Sequence, residues 1–329
     1  MKFSALALGS ALAAALVLGQ PALASPTANP PADATSAADA TAPARSFGPL
    51  VTPADLNADP APLVLDIRGA AYIQGHIPGA VDAPYKLFRG PTDNPGRVVG
   101  EDQIEATLQN LGVDEDRPVV VVHQGSDQDD FGAAARVYWT LKSAGLTDIA
   151  ILNGGMNAWA AAGGPLDTAP VVPEPTLLDI TWTDRWLADE ADVVSISAGQ
   201  QDALLLDARP PAFFEGTQAH SAAPVPGTVP GAQSLPHTEW FASGTTAIAP
   251  AATAADLAAR LGLPRDREIV TFCNTGHWAA TEWFALSELA GLPDVKLYPE
   301  SMVGYAQGGH DLANTPSLVA NLLRQIRGL

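Results

Sequence analysis

The sequence predicts an α/β protein in which one architecture is built twice: two tandem domains, each a small, mainly parallel sheet flanked by helices. Three observations predict it. Blocks of the first half recur in the same order in the second half. The candidate strands are continuously apolar and rich in branched residues, as parallel strands covered on both faces require. Helix-forming segments alternate with those strands, which is the pattern of α/β units.

The 329-residue chain opens on "MKFSALALGSALAAALVLGQPALAS", where Lys2 precedes a run of small apolar residues and an Ala-Leu-Ala ending. That order of charge, apolar core and small residues is the pattern of a secretory signal peptide, expected over 1–24 with cleavage after Ala24. The run is built largely of alanine and falls short of the ~20 strongly hydrophobic residues a membrane span needs, which favours a cleaved leader over an anchor. Residues 25–47 are Ala, Pro, Thr and Asp with almost nothing to bury, and are expected to be a disordered spacer. What remains exceeds one ordinary domain. We expect an N-terminal domain over 48–172 and a C-terminal domain over 173–329, joined where Pro170, Pro173 and Pro175 cluster.

The repeat has three matched blocks. "LVLDIRGAAYIQGHIPGAVDAP" (63–84) matches "LLLDARPPAFFEG" (204–216) followed by "GTVPGAQSLP" (227–236). "LGVDEDRPVVVVH" (111–123) lines up without a gap on "LGLPRDREIVTFC" (261–273), and "AGLTDIAILNGGMNAW" (144–159) on "AGLPDVKLYPESMVGY" (290–305). Each half then reads as strand, turn, helix, strand, glycine loop, helix and short strand. "GAAARVYWTLKSAG" and "AATEWFALSELAG" are the helices after the glycine loops. Trp283, Leu286 and Leu289 recur in the second at helical spacing and are expected to face the sheet, while Gly145 and Gly291 fall where a helix takes its left-handed cap.

The formal charge is −19 and only four lysines occur, Lys2, Lys86, Lys142 and Lys296. This balance disfavours a nucleic-acid or anionic-membrane surface, since neither phosphate nor lipid headgroups would find a neutralising field. An anionic substrate would have to rely on a local positive potential.

Cys273 is the only cysteine, so an internal disulfide is impossible. In an oxidising compartment an unpaired thiol is a liability unless it is buried or used. It sits at a strand-to-helix turn, followed by Asn274, Thr275, Gly276, His277 and Trp278. Unpaired backbone N–H groups and the helix dipole favour negative charge there, and Gly276 can take the angles that curl successive amides into an anion-holding nest. Such a setting favours the thiolate over the thiol. The first half has His123 at the matching position, followed by a loop four residues longer, so only the second copy offers a sulfur nucleophile.

Taken together, "LDIR" with "GHIPGA" in one half, "LDAR" with "VPGA" in the other, a cysteine loop only in the second and "SMVGY" after it resemble the tandem-domain rhodanese family of sulfurtransferases. The likeness runs from about Pro49 to Leu329. It implies two rhodanese-like domains, the first catalytically silent, and a cysteine that takes a sulfane sulfur from thiosulfate or 3-mercaptopyruvate as a persulfide. Cyanide or a thiol then removes that sulfur. In this chain the resemblance puts the nucleophile at Cys273 and the cradle at Asn274, Thr275, Gly276, His277 and Trp278, with no metal and no organic cofactor. A small donor and a thiol or cyanide acceptor are the implied partners, and a protein acceptor is also open. With the leader, the expected location is the periplasm or the medium. The alternative is a non-enzymatic persulfide carrier or binding module serving a partner protein.

The sequence departs from the family pattern in the loop. Thiosulfate users carry arginine and lysine at its second and third positions and mercaptopyruvate users glycine and serine, whereas this chain has Asn274 and Thr275. A further family arginine after the "DxR" motif aligns with Phe213. The donor is therefore left open by these residues. His277 has two readings: a titratable group that steadies the thiolate or the donor near neutral pH, or a backbone-shaping residue turned to solvent or to the other domain. Trp278 is expected at the pocket mouth. Asp207 with Arg209, like Asp66 with Arg68, is read as structural support, a carboxylate and a guanidinium satisfying loop amides and each other. His123 with Asp127, Asp129 and Asp130 does not match calcium-loop spacing and is read as a solvated acidic loop at the domain interface. Phosphatases of the same fold end their loop in arginine; none occurs in "CNTGHWA", which argues against phosphoryl chemistry.

Overall fold

The computed structural model describes residues 47–57 and 61–317. The leader expected at 1–24 and nearly all of the spacer expected at 25–47 lie outside the described residues. Phe47, the last residue assigned to the spacer, instead packs against a buried cluster that includes Val51, Leu152 and Trp159. An aromatic ring with an apolar surface to cover belongs to the fold, so the spacer ends before it.

In the N-terminal half the strands are β1 (Leu50–Val51), β2 (Leu63–Asp66), β3 (Val81–Asp82), β4 (Val119–Val122) and β5 (Ile149–Leu152). They form one parallel sheet in the order β1-β5-β4-β2-β3. Three α-helices belong to this half: α1 (Glu101–Asn110), α2 (Phe131–Ser143) and α3 (Gly155–Ala161). Every residue of β2, β4 and β5 is buried, which is why these runs carry no polar alternation.

The C-terminal half holds α4 (Glu190–Ser197), β6 (Ala203–Asp207), α5 (Pro211–Phe214), β7 (Gln233–Ser234), α6 (Ala251–Arg260), β8 (Glu268–Phe272), α7 (Trp278–Phe284), β9 (Val295–Leu297) and α8 (Ser301–Gln307). Its sheet is again parallel, in the order β7-β6-β8-β9. A lone parallel bridge between Leu187 and Leu297 stands where β1 pairs in the first half. Helix α7 continues as a π turn over Ala285–Leu289. Trp283, Leu286 and Leu289 are buried as expected, and Trp283 Nε1 donates to the Val295 carbonyl on β9 at 3.0 Å. Gly145 and Gly291 both have left-handed φ, at +99° and +65°.

Hydrogen bonds reproduce the repeat. Met156 N and Asn157 N donate to the carbonyls of His123 and Gln124 at 2.9 and 3.0 Å, and Met302 N and Val303 N donate to those of Cys273 and Asn274 at 3.1 and 3.0 Å.

The described residues of both halves belong to one compact unit and share one large apolar cluster. Helix α2 is the reason. All of its residues except Lys142 are buried, and it packs on α7, its counterpart. Tyr138 and Phe131 meet the Phe284 ring edge-on at 5.0 and 5.6 Å between centroids. The segment rich in proline also stays on the surface of the first half, with Thr176 N donating to the Gln109 carbonyl and Thr181 N to that of Ala144.

Candidate active site

Cys273 lies immediately past the last residue of β8 and is 1 % exposed. The turn after it depends on Gly276, whose φ is +67°. A β-carbon there would stand 2.4 Å from both Arg136 Nη1 and the Pro299 carbonyl oxygen, so space and backbone conformation both require glycine. The expected nest is partly taken up by a side chain. Cys273 N and Gly276 N donate to Ser301 Oγ at 3.0 and 3.1 Å, and that hydroxyl donates to the Tyr298 carbonyl at 2.8 Å. The amides of Asn274, Thr275 and His277 have no protein acceptor among the described residues.

Asp207 and Arg209 brace the loop from below. Arg209 reaches Asp207 through Nη2 at 2.6 Å and Nε at 2.8 Å, the Gly227 carbonyl at 2.8 Å and Asn274 Oδ1 at 3.3 Å. Asp66 and Arg68 repeat this bracket, with Gly75 and Gln124 in place of Gly227 and Asn274. Both pairs thus tie a strand end to the loops beside it. Beneath the site, Glu282 on α7 is fully buried with neither carboxylate oxygen partnered among the described residues. Burial first, then the nearby Asp207 and Cys273, hold its carboxyl well above the usual carboxylate range.

The N-terminal half covers the loop. Arg136, buried in α2, donates to the Gly96 carbonyl at 2.9 Å and to that of Gly276 at 3.4 Å. Burial lowers its pKa to about 9, aided by the neighbouring Arg89. His277 is clasped between two N-terminal groups: Nε2 donates to the Asp129 carbonyl at 2.7 Å, which leaves Nδ1 to accept from Tyr85 Oη at 3.1 Å. Burial, then Arg89, push its pKa down to about 4. An imidazole with that pKa is neutral near neutral pH, and its two hydrogen bonds turn the ring to the other domain, the arrangement of the second reading. Trp278 stands at the pocket wall, stacked on His237 at 5.2 Å with 4° between planes and meeting Phe213 at 5.7 Å.

The acidic loop is more than a solvated surface. Asp130 accepts from Gly125 N at 2.6 Å and lies 3.0 Å from His123 Nδ1, closing its own turn. Asp129 reaches across to His237 Nε2 at 2.8 Å. Asp127 stays exposed. The four extra residues thus let the loop cross to the cysteine side and hydrogen-bond there.

A cavity of about 250 Å³ is lined by Asp129, His220, Cys273, Asn274, Thr275, His277 and Trp278. Two larger hollows, of about 470 Å³ beside Lys142 and Glu288 and about 560 Å³ beside Glu190 and His310, are not lined by the cysteine loop, so chemistry and not size selects the site. The loop predicted from the sequence is gathered here with Asp207 and Arg209. Sequence reasoning missed Ser301, Tyr85, Arg89, Arg136 and His220, and placed Asp129 at the domain interface without bringing it to the cavity. Ser301 was within reach: the repeat sets it on Gly155, and both take left-handed φ, +52° and +59°. Arg136 is one of only two cations, with Lys142, in an alanine-rich apolar helix.

The family model described as a Rhodanese-like domain matches this chain twice, over 53–162 and 190–307. A thiosulfate sulfurtransferase of Azotobacter vinelandii is 32% identical over 287 residues, covering 83% of this chain and 97% of the relative. The sulfur carrier protein TtuD of Thermus thermophilus is 27% identical over 260 residues, covering 74% and 87%. The crystal structure of the 3-mercaptopyruvate sulfotransferase SseA from Escherichia coli has the same fold, with a TM-score of 0.66, 24% identity and coverage of 78% and 99%. Two matched domains, two parallel sheets and a relative that similar over most of both chains establish that this protein belongs to the tandem-domain rhodanese family of sulfurtransferases.

Proposed function

We propose that the protein is exported and moves a sulfane sulfur from thiosulfate or 3-mercaptopyruvate, through a persulfide on Cys273, to cyanide or a thiol. The observation that carries this reading is the sole cysteine lining a cavity beside three unpaired amides. With thiosulfate, the Cys273 thiolate attacks the outer sulfane sulfur. A bond to Cys273 forms as the sulfur–sulfur bond of thiosulfate breaks, and sulfite leaves with the electron pair. The terminal persulfide sulfur carries negative charge, and the amides of Asn274, Thr275 and His277 are the donors available to hold it. Cyanide or a thiolate then attacks that sulfur and Cys273 leaves with the bonding pair, giving thiocyanate or a hydropersulfide. Neither step draws on an outside oxidant or reductant, and the two half-reactions make the kinetics ping-pong.

A second reading is a persulfide carrier that hands its sulfur to a partner protein. Two observations favour it: no arginine or lysine lines the cavity, and a named sulfur carrier is among the relatives. Purified protein incubated with thiosulfate or 3-mercaptopyruvate separates the two. Repeated thiocyanate formation abolished by Cys273→Ala supports the enzyme; a stable gain of one sulfur on Cys273 without turnover supports the carrier; an unmodified thiol with every donor overturns both. Export follows from the leader read at 1–24, and a mature N-terminus at Ser25 is the expected result of N-terminal sequencing.

A further inference from the structure

An anionic donor entering this cavity meets no lysine or arginine in its lining, and the protein as a whole carries −19. Some nearby cation must supply the attraction. Three arginines lie around the loop. Arg209 is committed to Asp207, Gly227 and Asn274. Arg136 is sealed behind the loop, holding the carbonyls of Gly96 and Gly276. Arg89 differs from both. It follows the turn Tyr85–Phe88 of the N-terminal domain, and its guanidinium lies 5.2 Å above the Tyr85 ring. Tyr85 Oη is the group that touches His277 on the cavity wall. Arg89 Nη1 is buried without a hydrogen-bond partner, and no carboxylate pairs with this side chain among the described residues. Beside its contact with Tyr85, this guanidinium keeps one buried N–H unused and has no counter-ion, so an anion brought to it would satisfy a donor that is costly to leave unpaired.

The reach of its field agrees with this position. Arg89 is the largest charged contributor to the lowered pKa of both His220 and His277, two residues that line the cavity. Cys273 and Arg89 both bear on Tyr85 and on Arg136, which sets the thiol and this guanidinium around the same two side chains.

We propose that Arg89 of the N-terminal domain is the anchor for the anionic end of the sulfur donor, the sulfonate-like end of thiosulfate or the carboxylate of 3-mercaptopyruvate, presented to Cys273 of the other domain. The assignment rests on the sulfur-transfer reading of the site. It gives the first domain, which has no cysteine, a part in donor selection. Planar N–H donors match either anion.

Two variants test it. Arg89→Met keeps an unbranched stem over Tyr85 and removes the charge; Arg89→Lys keeps the charge without the fork. In Arg89→Met, kcat/KM for thiosulfate and for 3-mercaptopyruvate is expected to fall about tenfold or more, the loss typical of one charge-assisted hydrogen bond. The value of kcat/KM for a neutral thiol acceptor and the thermal midpoint should stay near wild type, and Arg89→Lys should restore part of the donor term. The second measurement needs no turnover: calorimetric titration of thiosulfate into Cys273→Ser protein, with and without Arg89→Met. About tenfold weaker binding in the double variant supports the anchor even if the wild type transfers no sulfur, an outcome that would overturn only the enzymatic reading. Unchanged thiosulfate binding, no binding to the Cys273→Ser protein, or equal losses for donor and acceptor would overturn the anchor.

Discussion

At the scale of single residues, the cysteine loop is held by one hydroxyl. Ser301 Oγ accepts from the amides of Cys273 and Gly276 while donating to the Tyr298 carbonyl, and it does so from a left-handed backbone. Ser301→Ala strips the acceptor from two buried amides, and each orphaned donor costs about 1–3 kcal/mol. We expect a loss of roughly 2–4 kcal/mol in chemical denaturation, together with slower persulfide formation. A variant as stable as wild type would mean that water or another group takes over both amides. His277 gives a second expectation at this scale. Its pKa falls from 6.5 in the unfolded chain to about 4 in the fold. The unfolded state therefore takes the proton first, so this residue lowers stability as pH drops from about 6.5 towards 4 and adds no pH dependence above that window. His277→Gln should soften the fall of the melting temperature across that window and leave the pH profile of donor kcat/KM above pH 6.5 unchanged. An ionisation lost from the profile near neutrality in this variant would show a charged His277 after all.

At the scale of elements, what could be read from the sequence was what repeats and what is continuously apolar. β2, β4, β6 and β8 announce themselves because both faces are covered. The helices after the glycine loops declare themselves through alanine-rich and aromatic spacing. The edge strands β3 and β7 are two residues long, and the first-strand position of the second sheet is a single bridge. Such elements exist because a neighbour offers hydrogen bonds, and no local pattern encodes that. The same holds for the site. Cys273, Gly276 and the Asp207–Arg209 bracket are local in sequence, whereas Tyr85, Arg89, Asp129 and Arg136 arrive from more than 130 positions away. The acidic loop shows the difference: its charge pattern suggested solvent, yet Asp129 touches His237 and His277. Removing residues 126–129 would give the loop the length of its counterpart and strip these contacts. Cys273, now 1 % exposed, should then be alkylated about tenfold faster, as expected if about 1.4 kcal/mol of local protection is lost. An unchanged alkylation rate would show that the loop does not limit access.

At the scale of the whole molecule, the two halves do not behave as beads joined by a linker. The face that α2 turns to α7 is apolar on both sides, and Tyr138, Phe131, Trp283 and Phe284 lock it with aromatic contacts. Lys142 and Glu288 close its edge with an ion pair of 2.6 Å. An interface of this kind resembles a domain core more than a transient contact, so we expect folding of either half to depend on the other. Phe284→Ala removes a fully buried ring from this shared core and should cost about 3–5 kcal/mol. Because the cluster is common, the loss is expected to lower one calorimetric transition for the whole chain instead of splitting it in two. The isolated segment 173–329 should consequently fail to form a persulfide: it would expose α7 and would lack the groups that clasp His277. Mixing it with a separately produced segment 43–172 should restore persulfide formation if the halves still recognise each other. Independent melting of the two halves, or a fully active C-terminal segment, would show that the second domain needs nothing from the first and would remove the physical basis for a site shared between them.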